Sequence, residues 1–240
     1  MKNIKTVKNK EADKWFLRNI HKYNDNSFDE RIINLVKNNN LKADKILEIG
    51  CADGNKLNQY SKLLKSKKNY GIDLSKKAIL HGKKKYKNLN LLNISSLEID
   101  KIKLNFDLII CGHFLYHLDR ELIFHQFNLI YKKINKNGLL LIHDFDPLFK
   151  HSNRDHNTKN LMSYKMSYDN FLVESGLFEM IYKFKYKTST SDKIKFKSDT
   201  ISLTLFRKID FQKKDRNNIV EGIMNGDFDS LFARGLTPEK

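Results

Sequence analysis

The segment KILEIGCADGN, at residues 45–55, places small residues at alternate positions after a short apolar run. Gly50, Ala52 and Gly54 follow the acidic Glu48 there. Glycine lets a strand-to-helix turn bend sharply and lets a ligand approach the backbone, and the N–H groups at the start of the next helix can bind that ligand. The turn is therefore a candidate site for a nucleoside cofactor, with an ordinary tight turn as the alternative.

The spacing excludes the fingerprint of dinucleotide-binding folds. That fingerprint needs glycines at positions i, i+2 and i+5. Counted from Gly50, these positions hold Gly50, Ala52 and Asn55, so only one of the three is glycine. A NAD-type turn is therefore not predicted.

Three further side chains at predicted strand ends have types suited to proton transfer. His113 follows the run FDLIICG, and His143 and Asp144 end the run GLLLIHD. Ligands of open parallel sheets bind at the carboxyl ends of the strands, and imidazole and carboxylate groups are common general bases. We predict these three as catalytic residues; for His113, a packing role near the site is equally compatible with the sequence.

The turn resembles motif I of the class I S-adenosylmethionine (SAM) methyltransferases, in which an acidic residue precedes three small residues at alternate positions. The later segments YGIDLS, FDLIICGHFLYHL and KINKNGLL are similar, in the same order, to the end of that family's second strand, its motif IV and its turn before strand five. Ala52 and the lack of a proline in the last segment depart from the family pattern. The resemblance covers roughly residues 40–208.

The resemblance implies an α/β fold with a Rossmann-like, seven-stranded, mostly parallel sheet, flanked by helices, whose seventh strand is antiparallel. It implies SAM as cofactor, with S-adenosyl-L-homocysteine (SAH) as product. No metal is expected, because the spacing of the His and Asp residues from 143 to 156 matches no strong ligand motif. Asp73 would bind the ribose hydroxyls and Asn93 the adenine. The full set of expected cofactor contacts is Glu48, Gly50, Cys51, Ala52, Gly54, Asp73, Leu74, Asn93, Ile94, Gly112 and His113.

Hydrophobic periodicity predicts strands that alternate with helices up to residue 143, the pattern of a parallel sheet covered on both faces. Predicted strands are 44–49, 69–74, 89–94, 106–111 and 139–143, followed by an antiparallel pair, 177–186 and 200–208. Predicted helices are 11–22, 27–38, 55–65, 75–85, 119–134 and 167–175. We divide the chain into a helical cap (1–40), a SAM-binding domain (41–208) and a tail (209–240).

Residues 145–166 are polar and lack a regular pattern, which predicts a loop that covers the substrate. Its cations and aromatic hydroxyl are suited to a phosphate or carboxylate on the methyl acceptor. The predicted substrate-binding residues are His117, Arg154, His156, Tyr164 and Lys165. A merely solvated loop is the alternative.

The composition of the chain limits the classes of partner that it is expected to bind. The net charge is +17, but 38 of the 45 basic residues are Lys and they are spread along the chain, whereas nucleic-acid surfaces favour Arg. A nucleic-acid partner is therefore not expected. No apolar run approaches the roughly 20 residues of a membrane span, and two cysteines fit a reducing cytoplasm. We expect a monomer or homodimer.

These observations predict a methyltransferase that acts on an oxygen or nitrogen atom of a small polar metabolite, such as a sugar, nucleotide-sugar or phosphorylated precursor. One alternative is an RNA or DNA methyltransferase. The Asn/Asp-Pro-Pro-Tyr/Phe motif that holds a flipped amino base is absent after residue 110, where the chain reads CGHF. The other alternative is a non-catalytic, methyltransferase-like partner subunit.

Overall fold

The computed structural model describes residues 2–23, 29–154, 162–187 and 200–210, with side chains of the first range described from residue 10 to 21. The helices are α1 Lys2–Asn19, α2 Glu30–Asn38, α3 Asn55–Leu64, α4 Lys76–Lys85, α5 Ile123–Lys133 and α6 Asp169–Glu174. The strands are β1 Lys45–Ile49, β2 Lys68–Ile72, β3 Asn90–Leu92, β4 Phe106–Gly112, β5 Ile134–Phe145, β6 His151–Arg154, β7 Met162–Lys165, β8 Phe178–Lys187 and β9 Thr200–Lys208.

Seven strands form one sheet in the order β3-β2-β1-β4-β5-β9-β8. Strands β1 to β5 are mutually parallel, and β9 runs antiparallel to both β5 and β8. The predicted fold class, a mostly parallel seven-stranded sheet with its last strand antiparallel, is confirmed. The order reverses between β1 and β4, which places a ligand-binding edge at the carboxyl ends of these strands.

Both faces of the sheet are buried, as the apolar runs of parallel strands require. Leu47, Ile109 and Ile142 face the side covered by α5 and α6, where Phe127 and Leu172 pack against them. Their sequence neighbours point the other way, because successive side chains of a strand alternate between the faces. That second face packs against α2 and α3 through Ile32 and Leu57.

Strand β5 begins at Ile134, ahead of the predicted start at residue 139, but its pairing with β4 is interrupted at 135–138, where Asn137 has a φ angle of 58°. One expectation for the second half of the chain was wrong. The stretch 145–166 is not a plain loop, since β6 and β7 pair antiparallel as a separate ribbon. Their residues are mostly polar and show no alternating apolar pattern, so periodicity could not reveal them.

Other predicted elements hold with small changes of boundary. The long helix begins as a 3₁₀ turn, Arg120–Leu122, before α5, and the third strand is shorter than expected. Ser75 caps α4 by accepting the Ala78 N–H, as predicted. The tail lies outside the described residues except for 209–210. Among the described residues, no helix combines the length and apolar character that crossing a bilayer requires.

Gly82 sets the distance between α4 and the turn after β1. A Cβ atom at this position would lie 2.0 Å from the carbonyl oxygen of Asp53 and 2.6 Å from a methyl group of Leu91. The first distance is far inside van der Waals contact, and the atom that it meets belongs to the backbone. Only glycine therefore lets this helix pack so closely beneath the turn.

We predict that Gly82→Ala destabilises the protein by about 1–3 kcal/mol through overpacking. The sign of this change in the free energy of unfolding is informative, because a Gly→Ala change within a helix normally stabilises by about 0.5–1 kcal/mol. Urea unfolding measures the change, and Lys83→Ala, at an exposed position of the same helix, is the control. A stabilised Gly82→Ala variant would contradict the close approach.

Candidate functional site

The turn after β1 owes its small residues to its backbone conformation. Gly50, Ala52 and Gly54 have φ angles of 75°, 49° and 85°, in the left-handed region that side chains disfavour. The N–H groups of Gly50 and Cys51 donate to the Ile72 carbonyl, which joins the turn to the end of β2. Ala52 accepts the strain of a left-handed conformation, about 1 kcal/mol, and its methyl group packs with Phe16 of α1.

Asp73 connects this turn to the loop after β2. Its Oδ2 accepts the Ala52 N–H at 2.9 Å, and its Oδ1 accepts the Ser75 N–H at 2.7 Å. Burial raises the pKa of Asp73, while these two N–H groups oppose the rise. Each carboxylate oxygen retains lone-pair capacity, so the group can also accept hydrogen bonds from two hydroxyls of a ligand.

Asn93, just beyond β3, holds the same loop from the other side. Its amide nitrogen donates to the carbonyls of Asp73 and Leu74, each at 2.9 Å. Because the NH₂ group is used within the protein, the side-chain carbonyl oxygen is the part that an exocyclic amine can reach. Cys51, by contrast, turns its thiol into the core, where a Cβ on Gly71 would lie 2.7 Å from its sulfur. Only its backbone faces the site.

Glu48 is a buried carboxyl beneath the turn, 4% exposed. Its Oε2 has no hydrogen-bond partner. Burial raises the pKa of Glu48 to about 8, against the opposing charge of Lys56. Gly112 of β4 lies next to it, since a Cβ there would be 3.5 Å from Glu48 Oε1. This unpartnered oxygen is suited to a positively charged or N–H-bearing part of a ligand.

Two acidic residues that the sequence did not single out also support the cofactor side. Asp53 is fully buried, accepts the Asn55 N–H at 3.0 Å and contacts His81 Nδ1 at 3.1 Å. Asp13 of α1 accepts the Ser75 hydroxyl at 2.8 Å and the Lys77 N–H at 2.9 Å. An Asp before the first helical turn is a recognisable cap, but no sequence signal links residue 13 to residue 75.

His113 and His143 meet at the ends of β4 and β5. The His113 N–H donates to the His143 carbonyl at 2.7 Å, and the ring centroids are 4.7 Å apart. Burial lowers the pKa of His143 well below its usual value, and burial with nearby Lys56 and Arg31 lowers the pKa of His113 to about 4. His143 is 8% exposed, whereas His113 keeps an exposed edge. Both imidazoles are therefore neutral near pH 7.

Asp144 lies on the opposite face of β5 from His143. Its Oδ2 accepts the N–H groups of Leu115 and Tyr116 at 2.9 and 3.3 Å, and its Oδ1 accepts the Phe145 N–H at 2.7 Å. Burial raises the pKa of Asp144 to about 7, with these N–H groups opposing. The carboxylate thus holds the 3₁₀ turn Leu115–His117 in place. This use of both oxygens favours a positioning role over its predicted role as a base.

The structure describes four of the five predicted substrate-binding residues, and they contact different neighbours. Lys165 Nζ lies 4.4 Å from the Phe145 ring centroid, and the Tyr164 ring is covered by the Arg120 guanidinium at 4.8 Å. His117 ends the 3₁₀ turn, with its ring 3.8 Å from that of Tyr116. Arg154 ends β6, opposite Met162. His156 lies outside the described residues.

Arg120, which the sequence did not suggest, ties the loop after β4 to the segment after β7. It donates to the carbonyls of Leu115 and Leu118 and to the Tyr168 hydroxyl. Phe145 adds edge-to-face contacts with Tyr116 and His113, at 5.1 and 6.1 Å. Within the described ranges, no group of three His, Cys, Asp or Glu residues is placed to hold a metal.

Residues 47–140 match a family model described as a methyltransferase domain. This segment of the chain is therefore similar to a methyltransferase domain. The matched segment runs from β1 into β5, so it includes the turn after β1, Asp73, Asn93 and His113. An uncharacterized protein of Rickettsia prowazekii strain Madrid E is 33% identical over 107 residues, which is 42% of this chain and 43% of that relative.

Several solved structures share the fold of this chain. The N-methyltransferase NodS of Bradyrhizobium japonicum WM9, in complex with SAH, superposes with a TM-score of 0.55 at 19% identity over 75% of this chain and 85% of its own. A putative SAM-dependent methyltransferase of Listeria monocytogenes gives 0.59 at 12% identity over 70% and 92%. An O-methyltransferase from a Brevibacillus brevis trans-AT PKS multienzyme, in complex with SAH, gives 0.57 at 15% identity over 75% and 71%.

We predict that Glu48 makes stability depend on pH. Its folded-state pKa of about 8 exceeds its usual value of 4.5, so the folded protein binds this proton more tightly than the unfolded chain does. The contribution of Glu48 to the free energy of unfolding is therefore fully present below about pH 4.5, and it decreases as the pH rises to about 8. Glu48→Gln should remove this loss and be more stable than wild type by a few kcal/mol, on the order of 1–4, at pH 8.5.

Urea unfolding at pH 5 and pH 8.5 measures this difference. Glu174→Gln, at an exposed position on α6, controls for the loss of a carboxylate. The prediction concerns the variant minus wild-type difference, because Asp144 also titrates in this range. A difference that stays constant between the two pH values would show that Glu48 is ionised in the folded state at both.

Proposed function

We propose that this protein transfers the methyl group of SAM to an oxygen or nitrogen atom of a small polar metabolite, such as a sugar, nucleotide-sugar or phosphorylated precursor. SAM as the cofactor is supported by the family match and by the SAH-bound neighbours in fold. The observation that carries the proposal is the meeting of two sets of residues at one sheet edge. The Asp73–Ala52 hydrogen bond lies at the carboxyl ends of β1 and β2, and the two neutral histidines lie at the carboxyl ends of the parallel strands β4 and β5.

The cofactor would lie across the turn after β1. Asp73 would accept the ribose hydroxyls, the Asn93 carbonyl oxygen would accept from the adenine amine, and Glu48 would accept from the methionyl ammonium. Backbone from Gly50 to Gly54, with Leu74, Ile94 and Gly112, would line the rest. These groups belong to the ends of β3, β2, β1 and β4, which are neighbours in the sheet in that order.

Methyl transfer from a sulfonium is a direct displacement. A lone pair of the acceptor atom forms the new bond to the methyl carbon while the carbon–sulfur bond breaks and its electrons remain on sulfur, which gives SAH. The protein must align the acceptor, and a hydroxyl or protonated amine must also lose a proton. Neutral imidazoles at positions 113 and 143 are available for that step.

The remaining assignments belong to the same proposal. Residues 1–40 would cap the cofactor, and 145–166, with its β6–β7 ribbon, would cover an acceptor bound by His117, Arg154, His156, Tyr164 and Lys165. The protein would work in the cytoplasm as a monomer or homodimer. A partner subunit without catalysis is the competing function, and a methyl-transfer assay separates the two.

We predict that Asp73→Ala weakens binding of SAM and SAH by about 10–100-fold, the value of two hydrogen bonds to a charged group. Asp73→Asn, which keeps one acceptor oxygen, should have an affinity for SAM and SAH between those of the wild type and Asp73→Ala. Isothermal titration calorimetry measures both. Asp100→Ala, an exposed carboxylate, is the control and should bind normally. An Asp73→Ala variant that folds and binds SAM with unchanged affinity would remove Asp73 from the ribose site.

We predict that His143→Ala lowers the rate of methyl transfer by about 10²-fold or more, with little change in SAM affinity, because its role is at the acceptor. SAH release with a panel of sugar phosphates, nucleotide-sugars and small amines measures the rate. His125→Ala, an exposed histidine on α5, is the control. Loss of SAM affinity with a normal rate at saturating SAM would instead make His143 part of the cofactor site.

A further inference from the structure

Tyr186, a residue near the end of β8, is a direct partner of His143. Its hydroxyl lies 2.5 Å from His143 Nε2, across the intervening strand β9. The two residues are 43 positions apart in the chain. A contact this short commits Nε2 of His143 to the tyrosine, so the ring meets the acceptor side through its other nitrogen.

Arg31, in the first turn of α2, holds Tyr186. The guanidinium carbon of Arg31 lies 4.4 Å from the centre of the Tyr186 ring, so the cation packs over the face of the phenol ring. Arg31 is itself fixed by Asp29, which accepts from Nε at 2.8 Å and from a terminal nitrogen at 2.9 Å. Asp29 also accepts from Lys56 Nζ at 2.7 Å. The phenol therefore has little freedom to turn away from His143.

The partners of the phenol indicate the direction of this hydrogen bond. Among the described residues, the Tyr186 hydroxyl has one hydrogen-bond partner, His143 Nε2. The single phenolic proton is then left for His143 Nε2. Burial raises the pKa of Tyr186 to about 12, so this proton stays on the tyrosine at neutral pH. A neutral imidazole that accepts at Nε2 carries its own proton on Nδ1.

We propose that Tyr186, held by Arg31, fixes His143 as the Nδ1–H tautomer, so that His143 donates a hydrogen bond to the methyl acceptor and His113 takes the acceptor's proton. This inference rests on the proposed function and divides its chemistry between the two histidines. Tyr186 and Arg31 are positioning residues, because they act through His143.

His113 has the properties that the second role needs. No side-chain hydrogen bond engages its ring among the described residues, its ring centroid lies 4.7 Å from that of His143, and one edge is exposed. As the acceptor's lone pair bonds to the methyl carbon, the proton of the acceptor atom passes to a nitrogen of His113. Burial, with nearby Lys56 and Arg31, disfavours the imidazolium, so His113, an exposed residue, then releases the proton to water.

Nitrogen-15 NMR of histidine side chains tests the tautomer without an acceptor, because protonated and unprotonated ring nitrogens have distinct shifts. We expect Nδ1 of His143 to carry the proton in the wild type. In Tyr186→Phe, the Nε2–H form should gain by about tenfold relative to the Nδ1–H form, the value of one hydrogen bond. Tyr182→Phe, a change at a partly buried tyrosine of the same strand, should leave the tautomer unchanged.

Diethyl pyrocarbonate, which acylates uncommitted neutral imidazole nitrogens, tests the assignment of His113. Peptide mass spectrometry should find His113 modified before His143, and His143 should gain reactivity in Tyr186→Phe but not in Tyr182→Phe. An Nε2–H tautomer in the wild type, a Tyr186→Phe spectrum identical to it, or His143 reacting first would each overturn the proposal.

Calorimetry with SAM on the same samples keeps the two proposals distinct. Normal SAM affinity with the wrong tautomer defeats only the division of roles between the histidines. The expected tautomer without SAM binding defeats the proposed function and, with it, the roles toward the acceptor, while the Arg31–Tyr186–His143 geometry stands.

Discussion

The carboxylate of Asp73 is the contact on which the edge formed by the ends of β1 and β2 depends. It accepts N–H groups from two loops that leave different strands, one from Ala52 and one from Ser75. Hydrogen bonds to an ionised acceptor are the stronger kind, and Asn93 adds two more to the carbonyls of the same loop. The backbone that would face a nucleoside is thereby fixed before any ligand arrives, which spares the ordering cost at binding.

Asp144 fixes the backbone after β4, just as Asp73 fixes the turn after β1. It accepts N–H groups from the 3₁₀ turn after β4 and so fixes the residues that follow His113. Its neighbour His143 points to the other face of β5, because side chains of a strand alternate. One strand end therefore supplies a structural carboxylate to the α5–α6 side and an imidazole to the α2–α3 side. The two adjacent residues, similar as candidate bases in the sequence, differ because of this alternation.

Much of the fold could be predicted from the sequence, because parallel strands and amphipathic helices leave clear apolar periods. The sharp turn after β1 could be predicted as well, since its conformation depends on small residues at local spacing, whereas the role of Asp73 toward a cofactor stays a prediction. The β6–β7 ribbon could not, because its strands are polar and short. Nor could the Tyr186–His143 pair or the role of Asp13, since contacts between distant segments depend on packing that one sequence does not reveal. Similarly, Asp144 looked like a base until its three N–H donors were known.

The attachment of α1 has a consequence for where this domain begins. Asp13 completes the amino-terminal cap of α4, and Phe16, 1% exposed, covers the left-handed alanine of the turn. The segment recognised by the family model starts only at residue 47. A fragment trimmed to that boundary would lose the side chains that cap α4 and cover Ala52, although it kept every residue of the turn. The packed unit is thus larger than the segment that the family model matches.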